Sequence, residues 1–306
     1  MMAQKIILDT DIGDDIDDAL ALALICVCPE LELLGVTMVF ANVEARSRQA
    51  RSLLKVAGER FASIPVAAGC GASMASSPLH NNKSYLEGVL PNQDSTCLPE
   101  AELAPPCPQH GVDFLIEQIM GGEGDIIPIC IGAMTNLATA MVKERRIVQK
   151  IPRIVCMAAE FKTHMAEWNI RCDPEAAHLV FSSGIPVQVT TWEMGRIAQF
   201  SNEDIERLKN APHPLGHHLW KTIVAWQQAG HFMPALYDPH AVATLLRPEL
   251  AEWKTGTVRV ELQGEHTYGF THFEENPQGP HRVAWNTDQA QSIEFYLDRI
   301  LAFDRQ

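Results

Sequence analysis

Short apolar runs alternate with longer helical stretches over the first 190 residues of the chain. Residues 5–8, 33–40, 64–68, 126–131 and 154–157 are largely apolar and read as short strands, and the β-branched stretch 187–191 reads as the next one. Between them, 18–28 is apolar enough for a helix packed on a sheet, 44–57 is amphipathic, and 135–144 is a third helix. Asp173-Pro174-Glu175 opens a fourth, with Asp as N-cap, Pro at the first helical position and Glu in the first turn; Gly184 ends it. Strands separated by helices need crossover connections, so the pattern predicts an α/β fold. Its sheet is open, mainly parallel and Rossmann-like, with helices on both faces.

Two regions break this rhythm. Residues 70–108 are rich in Ser, Pro, Asn and Gly and predict a long loop over one edge of the sheet, the kind of segment that is often functional. Residues 201–250 read as helical throughout, 256–273 alternate like a strand, and 288–303 close the chain with a helix; together these predict a helical C-terminal cap. No repeat, low-complexity tract or linker divides the sequence, and a single domain over residues 1–306 is expected.

Composition narrows the function classes. Lys and Arg number 24 against 38 Asp and Glu, a formal charge of −14, which would repel nucleic acid or an anionic membrane over most of the surface. No apolar run approaches the roughly 20 residues of a membrane span. The N-terminal segment lacks the features of a signal peptide, so a cytoplasmic protein is expected. The eight cysteines form no CxxC pair and several sit inside apolar runs, which predicts buried reduced thiols.

The strongest chemical feature is Asp9-Thr10-Asp11-Ile12-Gly13-Asp14-Asp15-Ile16-Asp17-Asp18, six carboxylates in ten residues directly after a buried strand. Ligands of open parallel sheets bind beyond the carboxyl ends of strands. Six mutually repelling acids there are costly, and a hard divalent cation with oxygen ligands is the natural remedy. The spacing is not that of an EF-hand. Asp-x-Asp after a strand also suggests a haloacid-dehalogenase-type phosphatase, but the Ile12-Gly13 that follows departs from that pattern.

The loop resembles that of the calcium-dependent nucleoside hydrolases of the inosine–uridine-preferring family, and four further segments match in order. These are Gly35-Val36-Thr37 through Ala41-Asn42; Ile131-Gly132-Ala133-Met134-Thr135-Asn136; Ala166-Glu167-Trp168-Asn169 with Asp173-Pro174-Glu175-Ala176-Ala177; and Tyr237-Asp238-Pro239-His240. The resemblance implies hydrolysis of a ribonucleoside to base and ribose with a bound Ca²⁺, in a homodimer or homotetramer. It implies that Asp11 is both metal ligand and general base. Asp18, Asp238 and the Ile131 carbonyl would be further ligands. Asp17, Asn42, Glu167 and Asn169 would hold ribose hydroxyls, and Asp9 would support the loop from behind.

Three departures leave alternatives open. The loop carries two extra residues before Asp17-Asp18, so Asp14 or Asp15 is an alternative to the assigned acids. Tyr237 stands where many members carry a His associated with activation of the leaving base; it could instead stack on a base, with the nearby His240 read as structural or solvent-facing. Residues 158–165 are short and lack the Gly-Asn that contacts the 5′ side of the sugar, so Glu160 or His164 could fill that space. Trp192, Trp226 and Phe232 are weaker candidates for the base pocket, and His80 and Tyr85 for a closing loop; His217 and His218 read as a surface helix. A metal- and ribosyl-binding relative with altered substrate or little catalysis is the alternative function.

Overall fold

One nine-stranded sheet organises the chain in the computed structural model, which describes residues 3–75 and 90–303. Its order is β3-β2-β1-β4-β5-β6-β9-β7-β8. Strands β1 (Gln4–Thr10), β2 (Leu31–Met38), β3 (Val66–Ala68), β4 (Ile127–Cys130), β5 (Ile154–Met157) and β6 (Val187–Thr190) pair in parallel. Strands β4, β5 and β6 are wholly buried, as expected of parallel strands covered on both faces; β4 and β5 are continuous apolar runs, while β6 carries Gln188 and Thr190 between and after its valines.

Helix α1 (Asp17–Val27) is buried at every position, which explains why its sequence carries no polar face. It packs against the helices formed by residues 43–57, 237–246 and 289–301. Helix α2 (Val43–Ala57) does show a polar side, and its N-cap is Asn42, whose Oδ1 accepts the Ala45 N–H at 3.1 Å. The Asp-Pro-Glu signal opens the helix Pro174–Phe181 as expected; the Asp173 carboxylate accepts the Ala176 N–H at 3.0 Å.

Three expectations need correction. Residues 201–250 are not one helical block. Asn202–Lys209, Pro214–Gln228 and Tyr237–Leu246 are separate helices, and residues 229–236 leave helical geometry at Gly230 (φ 104°) and Pro234. The alternation over 256–273 belongs to two antiparallel strands, β7 (Ala251–Val260) and β8 (Thr271–Glu275), the first of which starts earlier than expected. Strand β9 (His281–Thr287) and the helix Gly111–Gly121 were not anticipated. Strand β9 runs parallel to β6 and antiparallel to β7, so it joins the parallel sheet to this hairpin.

The long loop does lie along a sheet edge in its described part. Cys107 N–H donates to Val66 O at 2.9 Å, beside the edge strand β3. All eight cysteines are unpaired. Among the described residues no helix is long and apolar enough to cross a membrane.

Candidate active site

Strand order reverses between β1 and β4, the position where open parallel sheets form a crevice at their carboxyl ends. The acidic loop leaves β1 at this point, and Ile131 and Gly132 follow β4. A cavity of about 380 Å³ opens there, with Asp11, Asp17, Asp18, Asp238 and Ile131 among its lining residues. Glu167, Trp168 and Asn169 come from the segment after β5, Trp192 from that after β6, and Tyr237 from the helix Tyr237–Leu246.

The floor is carboxylate. Asp17, Asp18 and Asp238 are all buried and each offers an oxygen within 4.8 Å of the others. Burial is the first cause that pushes all three well above the ordinary carboxylate range, and their mutual repulsion, with that of Asp11, adds to it. Asp18 is oriented by a short hydrogen bond from Thr10 Oγ1. Asp11 is pushed up to about 6 by burial, opposed by the Arg46 charge. A Cβ on Gly132 would stand 2.7 Å from Asp11 Oδ1 and 2.9 Å from Asp11 N, so only glycine lets the Asp11 loop lie against this turn. An all-oxygen set this buried and this crowded fits a hard divalent cation.

One buried cation braces the loop from beneath. Arg46, 1% exposed, donates from Nε to Phe40 O at 2.8 Å and from Nη1 to the carbonyls of Asp11 and Ile12; Nη2 reaches Asp14 at 2.6 Å. Phe40 and Ala41 adopt positive φ (66° and 57°), the bend that brings the end of β2 over the arginine. Above the loop, Asn92 Nδ2 donates to Asp14 O at 2.7 Å and Gln93 Nε2 to Asp15 O at 2.5 Å. Asp14 and Asp15, open alternatives from the sequence, are thus a braced acid and an exposed rim residue, both outside the three-carboxylate cluster.

Behind the site, Asp9 accepts from Thr37 Oγ1 at 2.5 Å and Asn136 Nδ2 at 2.7 Å, all through Oδ1, while its buried Oδ2 has no partner. Burial lifts Asp9 to about 7 against those two hydrogen bonds. Glu167, also lifted to about 7 by burial, caps the short helix Trp168–Cys172 by accepting the N–H groups of Asn169, Ile170 and Ala159 at 3.0–3.2 Å. Asn169 Nδ2 donates to Ile131 O at 2.9 Å and Met157 O at 3.1 Å, leaving a second lone pair on the Ile131 carbonyl. Asn42 is not among the cavity-lining residues; its Oδ1 is the α2 cap.

Glu160 and His164 do not line the cavity either. The Glu160 carboxylate instead gathers the N–H groups of Lys162, Thr163 and Met165 into a tight loop. His240 is structural: it is buried, bonded to Ser292 Oγ at 2.9 Å, and lowered to about 4 by burial. Trp192 does line the cavity, whereas Trp226 is buried in the core and Phe232 is 85% exposed outside it. His80 and Tyr85 lie outside the described residues.

Sequence reasoning missed Asn92, Trp168 and His231, which all line the cavity. Trp168 sits inside a segment already singled out, and an aromatic flanked by Glu167 and Asn169 was signal enough. Nothing local marks Asn92 or His231.

Asp9, Asp11 and Glu167 hold protons more tightly when folded, because their folded values lie above the ordinary ones. Their contribution to stability is complete near pH 4 and is lost as pH rises through about 6 to 7. Protein kept in chelator is therefore expected to melt at a higher temperature at pH 5 than at pH 8, read by thermal unfolding. A midpoint that is flat or rises over this range would count against the buried acid nest as described.

A cavity at the switch point of a parallel sheet, floored by buried acids, is the ligand site of an α/β protein that handles a cation. Residues 6–294 match the model of the inosine-uridine preferring nucleoside hydrolases, and the chain belongs to that family. The chain is 31% identical to uridine nucleosidase 1 of Arabidopsis thaliana, over 97% of its own length and 93% of that protein's. It is 32% identical to the pyrimidine-specific ribonucleoside hydrolase RihA of Photobacterium profundum, over 88% of each chain. Among solved structures it superposes on a plant nucleoside hydrolase, PpNRh1, with a TM-score of 0.83 and 25% identity, covering 98% of this chain and 99% of that one. The protein is an N-glycosyl hydrolase acting on ribonucleosides.

Proposed function

We propose that the chain cleaves the N-glycosidic bond of a ribonucleoside by direct displacement with water, at a site that holds a divalent cation. The observation that carries this reading is the convergence of Asp17, Asp18 and Asp238 within 4.8 Å, buried, in the same cavity as Asp11. Asp18, Asp238 and the Ile131 carbonyl would hold the ion together with Asp11. Asp17, expected from the resemblance to hold a ribose hydroxyl, offers an oxygen within 4.8 Å of Asp18 and Asp238, which supports a role as a further ligand. Ca²⁺ is preferred because every donor is oxygen and because of the family resemblance; a homodimer or homotetramer rests on the resemblance alone. When bound, the ion neutralises the acid floor, orients ribose hydroxyls and makes a nearby water more acidic.

The chain's own residues do the rest. Asp11 takes a proton from the attacking water. Glu167 and Asn169 face the ribose, Asn169 through its amide oxygen, since its N–H groups are held by Ile131 O and Met157 O. Positive charge develops on the sugar as the bond to the base lengthens, and the surrounding carboxylates stabilise that oxocarbenium-like state more than the neutral substrate. Trp192 and Trp168 supply aromatic walls on which a base can rest.

The test is turnover of inosine, adenosine, guanosine, uridine and cytidine by purified protein, with and without a chelator, followed by Ca²⁺ add-back. Cleavage of at least one nucleoside is expected, with at least a hundredfold loss in chelator and recovery on add-back. Cleavage unaffected by chelation would remove the cation from the reading, and no cleavage by Ca²⁺-loaded protein would remove the hydrolase.

A further inference from the structure

A base leaves a nucleoside readily only if it accepts a proton or a strong hydrogen bond as the C1′–N bond breaks. Most polar groups of the cavity floor are carboxylates, which are the wrong groups for that task once ionised. Tyr237 is a poor donor as well, because a phenol, with an ordinary pKa of about 10, gives up its proton reluctantly at neutral pH. Among the described residues, His231 supplies the one imidazole that lines the cavity.

We propose that His231 is the proton donor to the departing base. This rests on the nucleosidase reading above. The floor acids are buried, whereas His231 lies exposed at the rim in the stretch between the helices Pro214–Gln228 and Tyr237–Leu246. A ribose seated on the acids directs its base outward to this rim. The His231 ring is stacked on Trp226, with centroids 4.7 Å apart and planes 8° apart, and Trp226 is buried. The core therefore fixes the plane of an otherwise exposed side chain, leaving its ring edge for the substrate. Asp15, from the two-residue extension of the acidic loop, interacts electrostatically with His231 across the rim. The extension and the histidine thus belong to one arrangement, in a chain that has Tyr237 where the family resemblance implies a histidine in many members.

In the step itself, the oxygen of water bonds to C1′ and one water proton passes to Asp11. The C1′–N electron pair goes to the base, and His231 gives its proton to that base. His231 is left neutral and is reprotonated from solvent, to which it is open.

The experiment compares His231→Gln and His231→Ala with wild type on the best natural nucleoside and on 4-nitrophenyl riboside, whose leaving group needs no proton. Expected is a loss of roughly 100-fold or more in kcat on the nucleoside, with kcat on the nitrophenyl substrate within about threefold and KM little changed. Both variants should fold, because the side chain is exposed. Nucleoside turnover within threefold of wild type would overturn the assignment, and so would an equal loss on both substrates. Wild type that cleaves neither substrate would overturn the nucleosidase reading itself; wild type that cleaves while the variants are unaffected overturns His231 alone.

Discussion

Asp11→Asn is expected to lower kcat on the preferred nucleoside by about three orders of magnitude. The substitution keeps the shape of the side chain and removes its charge and its ability to take a proton. The shape matters, because Gly132 leaves no spare room: a Cβ there would already stand 2.7 Å from Asp11 Oδ1. In the metal-free site burial raises the carboxyl to about 6, and a bound cation would favour its ionised form, the form that takes the proton. Single-turnover kinetics in excess Ca²⁺, with bound metal measured on the same samples, separate loss of the base from loss of the ion. A variant that retains metal and keeps kcat within tenfold of wild type would show that another group takes the proton.

Replacing Arg46 with methionine should destabilise the protein by about 3–5 kcal/mol, the usual effect of removing one partner from a buried charged network. Methionine fills most of the volume, so the loss reports the guanidinium rather than a cavity. The carbonyls of Phe40, Asp11 and Ile12 each lose a donor, and Asp14 loses its ion pair. The buried acids Asp11 and Asp18 lose the positive charge that offsets part of their burial. Asp14→Asn should cost much less, because Asp14 is 42% exposed and water replaces the lost partner. Urea unfolding of Ca²⁺-loaded wild type and variants measures both. A change below about 1 kcal/mol for Arg46→Met would mean that water or another side chain takes over those carbonyls.

The two effects explain why a loop of six acids can exist at all. Its acids are divided by environment: Asp9 behind the strand, Asp11, Asp17 and Asp18 buried in the cavity wall, Asp14 on Arg46, and Asp15 at the rim. The neighbours Asp14 and Asp15 are thereby separated in electrostatic role, whereas Asp17 and Asp18 stay together in the buried wall.

Much of this was legible in the chain itself. The apolar runs determined the parallel strands, because strands buried on both faces leave a continuous hydrophobic signature. The Asp173-Pro174-Glu175 signal marked a helix start because capping is local chemistry. The acid loop and the Asp238 segment were legible because so many carboxylates beside buried strands have few structural explanations. The tertiary structure alone decided which acids converge. Asp17 and Asp18 are 220 and more residues from Asp238, and only the seating of α1 against the helix Tyr237–Leu246 brings them within 4.8 Å. It alone showed that Arg46 lies beneath the loop, since its position on α2 looks like any basic residue of an amphipathic helix. It alone placed His231 at the rim, because a histidine beside a helix-breaking glycine carries no local sign of what faces it across a cavity. Strand β9 belongs to the same class: its place between β6 and β7 is set by pairing with strands distant in sequence, and pairing of that kind leaves no local periodicity of its own.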